Sequence, residues 1–340
     1  MEPIIKVNNL QKDYKVYRNH EGYFGALRNL FDREYDLIHA VDEISFSILP
    51  GELVGYIGPN GAGKSTTVKM LTGLLVPTSG EVFVDGFIPW KDRQSYVKQI
   101  GAVFGQRTTL WWDLPVRDSF DLLKDIYEIP PKKYNQNLGL FREILELDAF
   151  MDTPVRSLSL GQRMRADLCA ALLHEPKLIF LDEPTIGLDV VAKQRVREFI
   201  KFSNAELGTT VLLTTHDSAD VARLCRRIMI IDHGKILYDG EFDKLIRSFG
   251  GHRFLNVEFA EHYPDPQLEG AAIIYREGLK VTYTFNRSDV SASKLIHLLS
   301  EEYRIRDLEV RNQPIEDTIR EIYENQLLYN QTNEPENSPS

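Results

Sequence analysis

Residues 58 to 66 read Gly58-Pro59-Asn60-Gly61-Ala62-Gly63-Lys64-Ser65-Thr66, and they follow the short apolar run Leu53–Ile57. An apolar run that ends in turn residues is typical of a buried central strand. The residues after it match the pattern G-x-x-x-x-G-K-[ST], and a helix-like stretch begins near Thr66. The sequence therefore predicts a strand, a glycine-rich loop and a helix in succession.

This loop has the composition of a phosphate-binding loop. Glycines let successive backbone N–H groups turn toward one anion, and the helix N-terminus adds a partial positive charge. We predict that residues 58–66 hold a nucleoside triphosphate, that Lys64 bridges its β- and γ-phosphates, and that Ser65 binds Mg²⁺. The alternative is a glycine-rich turn with an incidental lysine, and the position between a strand and a helix argues against it.

A second apolar run ends in two carboxylates. Residues 178–183 read Leu-Ile-Phe-Leu-Asp182-Glu183, and a parallel strand ending here would deliver its last side chains to the same sheet edge as the loop. We expect Asp182 to hold the magnesium through water and Glu183 to polarise the attacking water as a general base. Taken without the loop, the pair could equally terminate a strand in solvent.

Apolar runs and helical spacing alternate along the first two thirds of the chain. Strands are predicted at 4–10, 43–48, 53–57, 177–181, 210–214 and 228–231, and helices at 118–127, 137–147 and 163–174. Strands joined by crossover helices indicate an α/β core. The later pattern, with strands at 254–259, 271–275, 279–285 and 305–310 and helices at 290–301 and 315–324, predicts a small α+β domain.

Composition narrows the class of function. The 340 residues are 43% hydrophobic and 26% charged, which is typical of a soluble globular protein. The net charge of −10 argues against a nucleic-acid partner, because backbone binding needs clustered Lys and Arg. No stretch reaches the roughly 18 to 20 apolar residues of a membrane span. Cys169 and Cys225 have neither a Cys-x-x-Cys nor a His companion, so we expect buried free thiols.

Five further motifs, taken with the loop and the carboxylate pair, resemble those of one protein family. They are Tyr14, Gln106 in Val-Phe-Gly-Gln106-Arg, Leu158-Ser159-Leu160-Gly161-Gln162, Ile186-Gly187-Leu188-Asp189 and His216. In this order, and together with the phosphate-binding loop and the Asp182-Glu183 pair, they resemble the motifs of ABC (ATP-binding cassette) ATPases. The resemblance covers about residues 4 to 245.

The resemblance implies a role for each motif. Gln106 resembles the glutamine that touches the magnesium and senses the membrane subunit, and His216 resembles the switch histidine at the γ-phosphate. Ser159, Gly161 and Gln162 belong to a signature motif like LSGGQ, in which Leu160 replaces the usual glycine. Asp189 belongs to a D-loop, and Tyr14 is placed like the aromatic residue that stacks on adenine, unless it is only a packing residue.

The same resemblance implies the architecture. We expect an α/β P-loop NTPase of the ABC type, with a mixed sheet core and a helical subdomain at about 107–175, over residues 1–250. A small α+β accessory domain would follow at 251–326, and residues 327–340, rich in Asn, Pro, Glu and Ser, are predicted to be a disordered tail.

The implied cofactors are ATP and Mg²⁺, and the implied assembly is a head-to-tail dimer. Each site would use Lys64, Ser65, Gln106, Asp182, Glu183 and His216 of one chain and Ser159 and Gly161 of the other, which is either a second copy or a related ATPase subunit. Permease subunits on separate chains would be the membrane partners, which would place the protein at the cytoplasmic face of the cell membrane. Export is the favoured direction.

Two segments are candidates for contact with the permease. Apolar groups at 110–115, with Trp111 and Trp112, would form a docking surface on the cassette, unless both rings are core residues. An extra stretch at about 17–39 carries Tyr23, Phe24, Leu27, Leu30, Phe31, Tyr35 and Ile38 at helical spacing. We expect an amphipathic helix there, either at the mouth of the permease or covering its own cassette. The alternative function is a soluble ABC ATPase that acts on nucleic acid or ribosomes.

Overall fold

The computed structural model describes residues 2–17, 35–105, 107–249, 252–264, 266–314, 317–320 and 322. The chain divides into two compact units, Met1–Asp239 and Gly240–Ser340. This division lies earlier than the boundary at residue 250 that we expected. The expected tail, 327–340, lies outside the described residues.

The strands and helices of the first unit alternate as expected for an α/β core. The strands are β1 (Ile5–Tyr17), β2 (Tyr35–Ile48), β3 (Leu53–Ile57), β4 (Ser79–Val84), β5 (Ile100–Phe104), β6 (Leu178–Asp182), β7 (Thr210–Thr215), β8 (Arg227–Asp232) and β9 (Lys235–Glu241), the last of which crosses into the second unit. The helices are α1 (Lys64–Leu71), α2 (Arg93–Tyr96), α3 (Val116–Ile126), α4 (Pro131–Leu145), α5 (Leu160–Leu172), α6 (Val190–Ala205) and α7 (Ser218–Leu224). This confirms the predicted α/β fold class.

A six-stranded sheet in the order β5-β6-β7-β3-β8-β9 forms the centre of this unit. Strands β5, β6, β7, β3 and β8 pair in parallel. All six residues of β7 are buried, as expected for a strand covered on both faces. The predicted strands at 53–57, 177–181, 210–214 and 228–231 are confirmed with bounds that differ by one residue or less at each end.

A three-stranded antiparallel sheet, in the order β2-β1-β4, packs against the central sheet. Ile5 and Val84 from the first sheet join Tyr56, Phe180 and Leu212 of the second in one buried cluster. Burying a large apolar side chain contributes about 1.5–3 kcal/mol, so this shared cluster holds the two sheets together.

The structure corrects the two ends of the helix expected at 17–39, because residue 17 and residues 35–39 lie in strands. Tyr35 and Ile38 lie in β2, where they pair with Tyr17 and Tyr14 of β1. Their backbone groups therefore serve an antiparallel ladder and not helical hydrogen bonds. Tyr23, Phe24, Leu27, Leu30 and Phe31 lie outside the described residues.

Helices α3, α4 and α5 occupy the segment predicted to be helical, and each begins earlier than its pattern indicated. Helix α4 begins with Pro131 at its first turn, where a missing N–H costs nothing. Helix α5 begins after Ser159, whose side chain forms a capping box with Gln162. None of the helices among the described residues is both long and apolar enough to cross a membrane.

The second unit begins with α8 (Phe242–Phe249) and contains a four-stranded antiparallel sheet. The sheet order is β11-β12-β10-β13, with β10 (His252–Phe259), β11 (Ala272–Glu277), β12 (Lys280–Asn286) and β13 (Ile305–Asn312). Helix α9 (Ala292–Glu302) buries Leu295 and Leu299 in a core with Leu255, Val257 and Tyr283. Residues 317–320 and 322, within the helix predicted at 315–324, are helical.

A buried ion pair joins α6 to α7. Asp220 has no exposed surface and Arg197 is 8% exposed, and Nε of Arg197 donates to Oδ1 of Asp220 at 2.6 Å. The hydroxyl of Thr185 donates to the other carboxylate oxygen. Buried charges are tolerated only when they are paired and hydrogen-bonded, so each partner depends on the other.

Replacing Arg197 with Met should lower the free energy of unfolding by about 3–5 kcal/mol, because Asp220 would stay buried without a countercharge. Arg195 lies on the same helix as Arg197 and forms a half-exposed ion pair with Glu146, the C-cap of α4. Arg195→Met removes this pair and should cost less than about 1 kcal/mol. All three tryptophans lie in the first unit, so tryptophan fluorescence in denaturant reports its unfolding. A double variant Arg197→Met/Asp220→Asn that is as unstable as the single variant would contradict the pairing account.

Candidate functional site

The loop between β3 and α1 has the backbone of a phosphate cradle. Gly61 and Gly63 adopt left-handed φ angles of 85° and 108°, which glycine reaches without steric cost. A Cβ on Gly63 would lie 2.4 Å from the carbonyl oxygen of Ala40 in β2. The loop can therefore approach β2 this closely only with glycine at that position.

Lys64 is buried and folds back on its own loop. Its Nζ donates to the carbonyl oxygens of Gly58 at 2.6 Å and Pro59 at 3.1 Å. Burial lowers the pKa of the Lys64 ammonium, and the nearby carboxylates of Glu183 and Asp182 oppose this shift. The Lys64 amino group is therefore anchored on the carbonyl groups of its own loop.

Oxygen groups converge at the carboxyl end of β6. Oδ1 of Asp182 accepts hydrogen bonds from Ser65 at 3.3 Å and from Thr214 at 2.5 Å. Hydroxyl and carboxylate oxygens are the ligands that Mg²⁺ prefers, and Mg²⁺ usually takes one or two carboxylates together with substrate phosphates and water. No cluster of three or more His, Cys, Asp or Glu able to hold a metal occurs within the described part of the chain. The hydroxyl of Ser65 and the carboxylate of Asp182 are of the ligand types that Mg²⁺ takes.

Glu183 is the next residue, and its backbone is strained. Its φ of 57° is left-handed, which is uncommon for a residue with a side chain and is found at functional sites. Its backbone N–H donates to the carbonyl oxygen of Thr214 at 3.1 Å. Oε2 of Glu183 lies 2.8 Å from Nδ1 of His216, and since an ionised carboxylate only accepts, Nδ1 carries the proton.

The glycine-rich loop, Glu183 and His216 line one cleft of about 460 Å³. Its lining comprises Ala40, residues 60–66, Glu183, Ile186 and His216. The sequence-predicted loop, the carboxylate Glu183 and the histidine are thus brought together, although they come from three separate parts of the chain.

Comparisons with known proteins agree with this geometry. A family model described as "ABC transporter" matches residues 41–186. The Nod factor export ATP-binding protein I of Burkholderia pseudomallei (strain 1710b) is 33% identical over 235 residues, which cover 69% of this chain and 75% of that protein. The chain belongs to the ABC transporter family.

Two further similarities come from a longer relative and a solved structure. The probable multidrug ABC transporter ATP-binding protein YbhF of Escherichia coli (strain K12) is 35% identical over 236 residues, or 69% of this chain. The chain spans only 38% of the length of YbhF. A dimeric post-hydrolysis state of the cassette MJ0796 with ADP and Pi has a TM-score of 0.58 and 28% identity, covering 70% of this chain and 98% of that one.

The residues that resemble the ABC signature motif lie at the start of α5. Ser159 is its N-cap, and Oγ of Ser159 accepts from the backbone N–H of Gln162 at 3.2 Å, while Oε1 of Gln162 accepts from the backbone N–H of Ser159 at 2.9 Å. Ser159 is exposed, and Gly161 and Gln162 are half-buried. None of these residues lines the cleft that contains the phosphate loop.

Asp189 ends the segment 186–189 that resembles a D-loop, and it is the N-cap of α6. Its Oδ1 accepts from the backbone N–H of Ala192 at 2.8 Å, so the carboxylate caps the N-terminus of α6. Gly187, two residues earlier, has a left-handed φ of 70°. The D-loop therefore turns sharply into a capped helix.

Two predicted site residues are placed less directly. Gln106 lies outside the described residues, but Gly105 before it donates its backbone N–H to the carbonyl oxygen of Asp182 at 2.8 Å. Tyr14 lies in β1 opposite Ile38, which is two residues before the cleft residue Ala40. The Tyr14 side chain is 40% exposed.

The segment after Gln106 presents the aromatic surface that the sequence indicated. Trp111 is 38% and Trp112 is 50% exposed, whereas Leu110 is buried. The guanidinium carbon of Arg163, on α5, lies 5.5 Å from the centre of the Trp112 ring, within reach of a cation–π contact. The alternative, that both rings are core residues, is therefore wrong.

Sequence reasoning missed two residues that shape the site. The hydroxyl of Thr214 donates to Asp182. The sequence contains one indication of this role, a threonine at the end of the apolar run at 210–214, which reaches the same sheet edge. Asp167 is 4% exposed, and its Oδ1 accepts from Oγ1 of Thr108 at 2.8 Å and from the backbone N–H of Thr109 at 3.0 Å. Asp167 thereby links α5 to the segment that carries Trp111 and Trp112. Because this contact joins residues far apart in sequence, no local pattern indicates it.

Burial raises the pKa of Asp167 from 3.8 to about 6, although hydrogen bonds from Thr108 and Thr109 oppose the shift. The folded state therefore binds the proton more tightly than the unfolded state, and the associated stability is complete below pH 3.8 and lost as pH rises to about 6.

Asp167→Asn keeps the accepting oxygen but never ionises. Its free energy of unfolding, relative to that of the wild type, should therefore rise by up to about 3 kcal/mol between pH 4 and pH 6. Urea unfolding followed by tryptophan fluorescence across this range measures the difference. A difference that stays constant with pH would refute the assignment.

Proposed function

We propose that this chain hydrolyses ATP in a head-to-tail dimer and thereby powers transport, in the direction of export, by a separate membrane permease. The observation that carries the proposal is the separation of the site within one chain. The phosphate loop, Glu183 and His216 share a cleft, while Ser159 and Gly161 lie elsewhere on an exposed helix start.

A second subunit would complete this cleft. The exposed N-terminus of α5 carries free backbone N–H groups and the positive end of the helix dipole, which suit the γ-phosphate of a nucleotide held by the facing chain. ATP would then join the two chains, and loss of the γ-phosphate would release them, because only the triphosphate contacts both. The cassette MJ0796, which resembles this chain, is described as dimeric. Either a second copy or a related cassette fits the facing position.

Within each site we assign roles from the geometry. Lys64 and the loop N–H groups hold the phosphates, and Ser65 and Asp182 supply the oxygen ligands for Mg²⁺. The ion, when bound, offsets the negative charge that develops on the transferred phosphoryl group. Glu183 orients and polarises the attacking water.

Three assignments rest on the family resemblance as well. His216, held by Glu183 at 2.8 Å, would contact the γ-phosphate. Gln106 would complete the magnesium site, because its neighbour Gly105 is bonded to the backbone of Asp182. Tyr14 would stack on adenine, because it lies on the strand pair that borders the cleft.

The permease would dock on the exposed Trp111 and Trp112. Large exposed aromatic rings are typical centres of protein interfaces. The segment that bears them is bonded to α5 through Asp167, so a force on the docking surface would reach the signature motif. This position would hold the protein at the cytoplasmic face of the membrane. Export is favoured by two relatives, one named for Nod factor export and the other for probable multidrug transport.

Glu183→Gln should lower ATP hydrolysis by about 10²- to 10⁴-fold while ATP binding persists, because the amide is not a general base. The variant should accumulate as a dimer in Mg-ATP and return to monomers in ADP, measured by light scattering after size-exclusion chromatography. Glu198→Gln, an exposed change on α6, is the matched control and should behave as the wild type. A Glu183→Gln variant that remains monomeric in ATP would refute the shared site.

Trp112→Ala should leave basal ATP hydrolysis unchanged but abolish co-purification of a multi-span membrane protein with the tagged chain from detergent-solubilised membranes of its own host. The ring lies on the proposed docking surface and not in the nucleotide cleft. Tyr275→Ala removes an aromatic ring of similar exposure in the second unit and serves as the control. Equal recovery of the membrane protein by both variants would exclude Trp112 from the interface.

A further inference from the structure

The side chain of Leu160 contacts the D-loop of its own chain. Leu160 is the first residue of α5, where the signature motif of the family usually has glycine. A Cβ on Gly187 would lie 3.0 Å from Cδ2 of Leu160. The tip of the leucine therefore fills the space beside Gly187 that only a residue without a side chain leaves open.

A second contact beside it brings the same two elements together. A Cβ on Gly161 would lie 2.9 Å from Cβ of Ala192, in the first turn of α6. The start of α5 thus packs against both the D-loop and the helix that follows it. Any side chain at position 161 would push the two helix starts apart, whereas the side chain at position 160 fits between them.

Both sides of this contact are fixed locally. The capping box of Ser159 and Gln162 fixes the start of α5, and the carboxylate of Asp189 caps α6. Thr185, just before the D-loop, is hydrogen-bonded to the buried Asp220 of α7. With its two flanks anchored, the D-loop keeps Gly187 as its point of contact with the signature motif.

We propose that Leu160 is a positioning residue that holds the D-loop and the signature motif in one arrangement, so that both meet the facing subunit as a preformed surface. This role rests on the proposed function, because it is exerted across the dimer. The branched side chain supplies a contact that glycine at this position cannot make. Its effect is on the assembled dimer and not on nucleotide binding by the single chain, since Leu160 does not line the cleft.

The test uses the Glu183→Gln background, in which the ATP-bound dimer accumulates. Adding Leu160→Ala should weaken ATP-dependent dimerisation about tenfold, because three carbons of a half-buried side chain are lost. Adding Leu160→Met, which is similar in volume, should restore dimerisation to within about twofold. Sedimentation velocity over a range of protein concentrations measures the dimer dissociation constant.

Two further measurements separate positioning from a general structural defect. Hydrogen exchange at the backbone amides of residues 186–189 should be faster in the monomeric Leu160→Ala variant, while its affinity for ADP stays that of the wild type. Leu140→Ala, which shortens another partly exposed leucine on α4, should change none of these quantities.

The outcomes are distinct. If the Glu183→Gln parent dimerises and its Leu160→Ala derivative dimerises equally well, the role of Leu160 is overturned and the shared site stands. If the parent fails to dimerise, the proposed function is overturned and the role of Leu160 falls with it. Unchanged exchange at residues 186–189 would also overturn the inference.

Discussion

Parallel pairing of β3, β6 and β7 is the constraint on which the site depends. In this register Asp182 lies opposite Thr214, and Ile57 lies opposite Thr215. Parallel strands end at one edge of the sheet, so the loop after β3, the carboxylates after β6 and the histidine after β7 must emerge side by side. A shift of one strand by one residue would turn its side chains to the opposite face and separate these groups.

The candidate site has an unfavourable backbone geometry at Glu183. Glu183 has a left-handed φ, and a Cβ on Gly105 would lie 2.3 Å from the carbonyl oxygen of Glu183. The turn at Gly105, just after β5, therefore packs against the turn at Glu183 with no room for a side chain. Such strain persists only where the surroundings fix it, and here the neighbours are two parallel strands and a charged hydrogen bond to His216.

Short-range patterns predicted the parts of the protein that local chemistry determines. The glycine spacing at 58–66 and the apolar run before Asp182 were sufficient to predict the loop, its flanking strand and helix, and the two carboxylates. The spacing of Tyr35 and Ile38 led to a wrong helix prediction, because residues three apart can share one face of a helix. Both residues are in a strand because they pair with Tyr17 and Tyr14, which lie on the other side of a long connection. Buried contacts such as that of Asp167 with Thr108 join segments far apart in sequence, so no local pattern reveals them.

The contact between Ala40 and the glycine-rich loop has a consequence for how the β1–β2 ribbon and the loop are coupled. Ala40 is an extra residue between the pairs His39–Asp13 and Val41–Lys12, and its carbonyl abuts Gly63. Just beyond it, Asp42 donates to Gly234, and Gly234 donates to Ala62. The base of the β1–β2 ribbon is thus fastened to the glycine-rich loop at two points, through Ala40 and through Asp42 by way of Gly234. A displacement of this end of the ribbon would therefore be passed on to the backbone around Gly63.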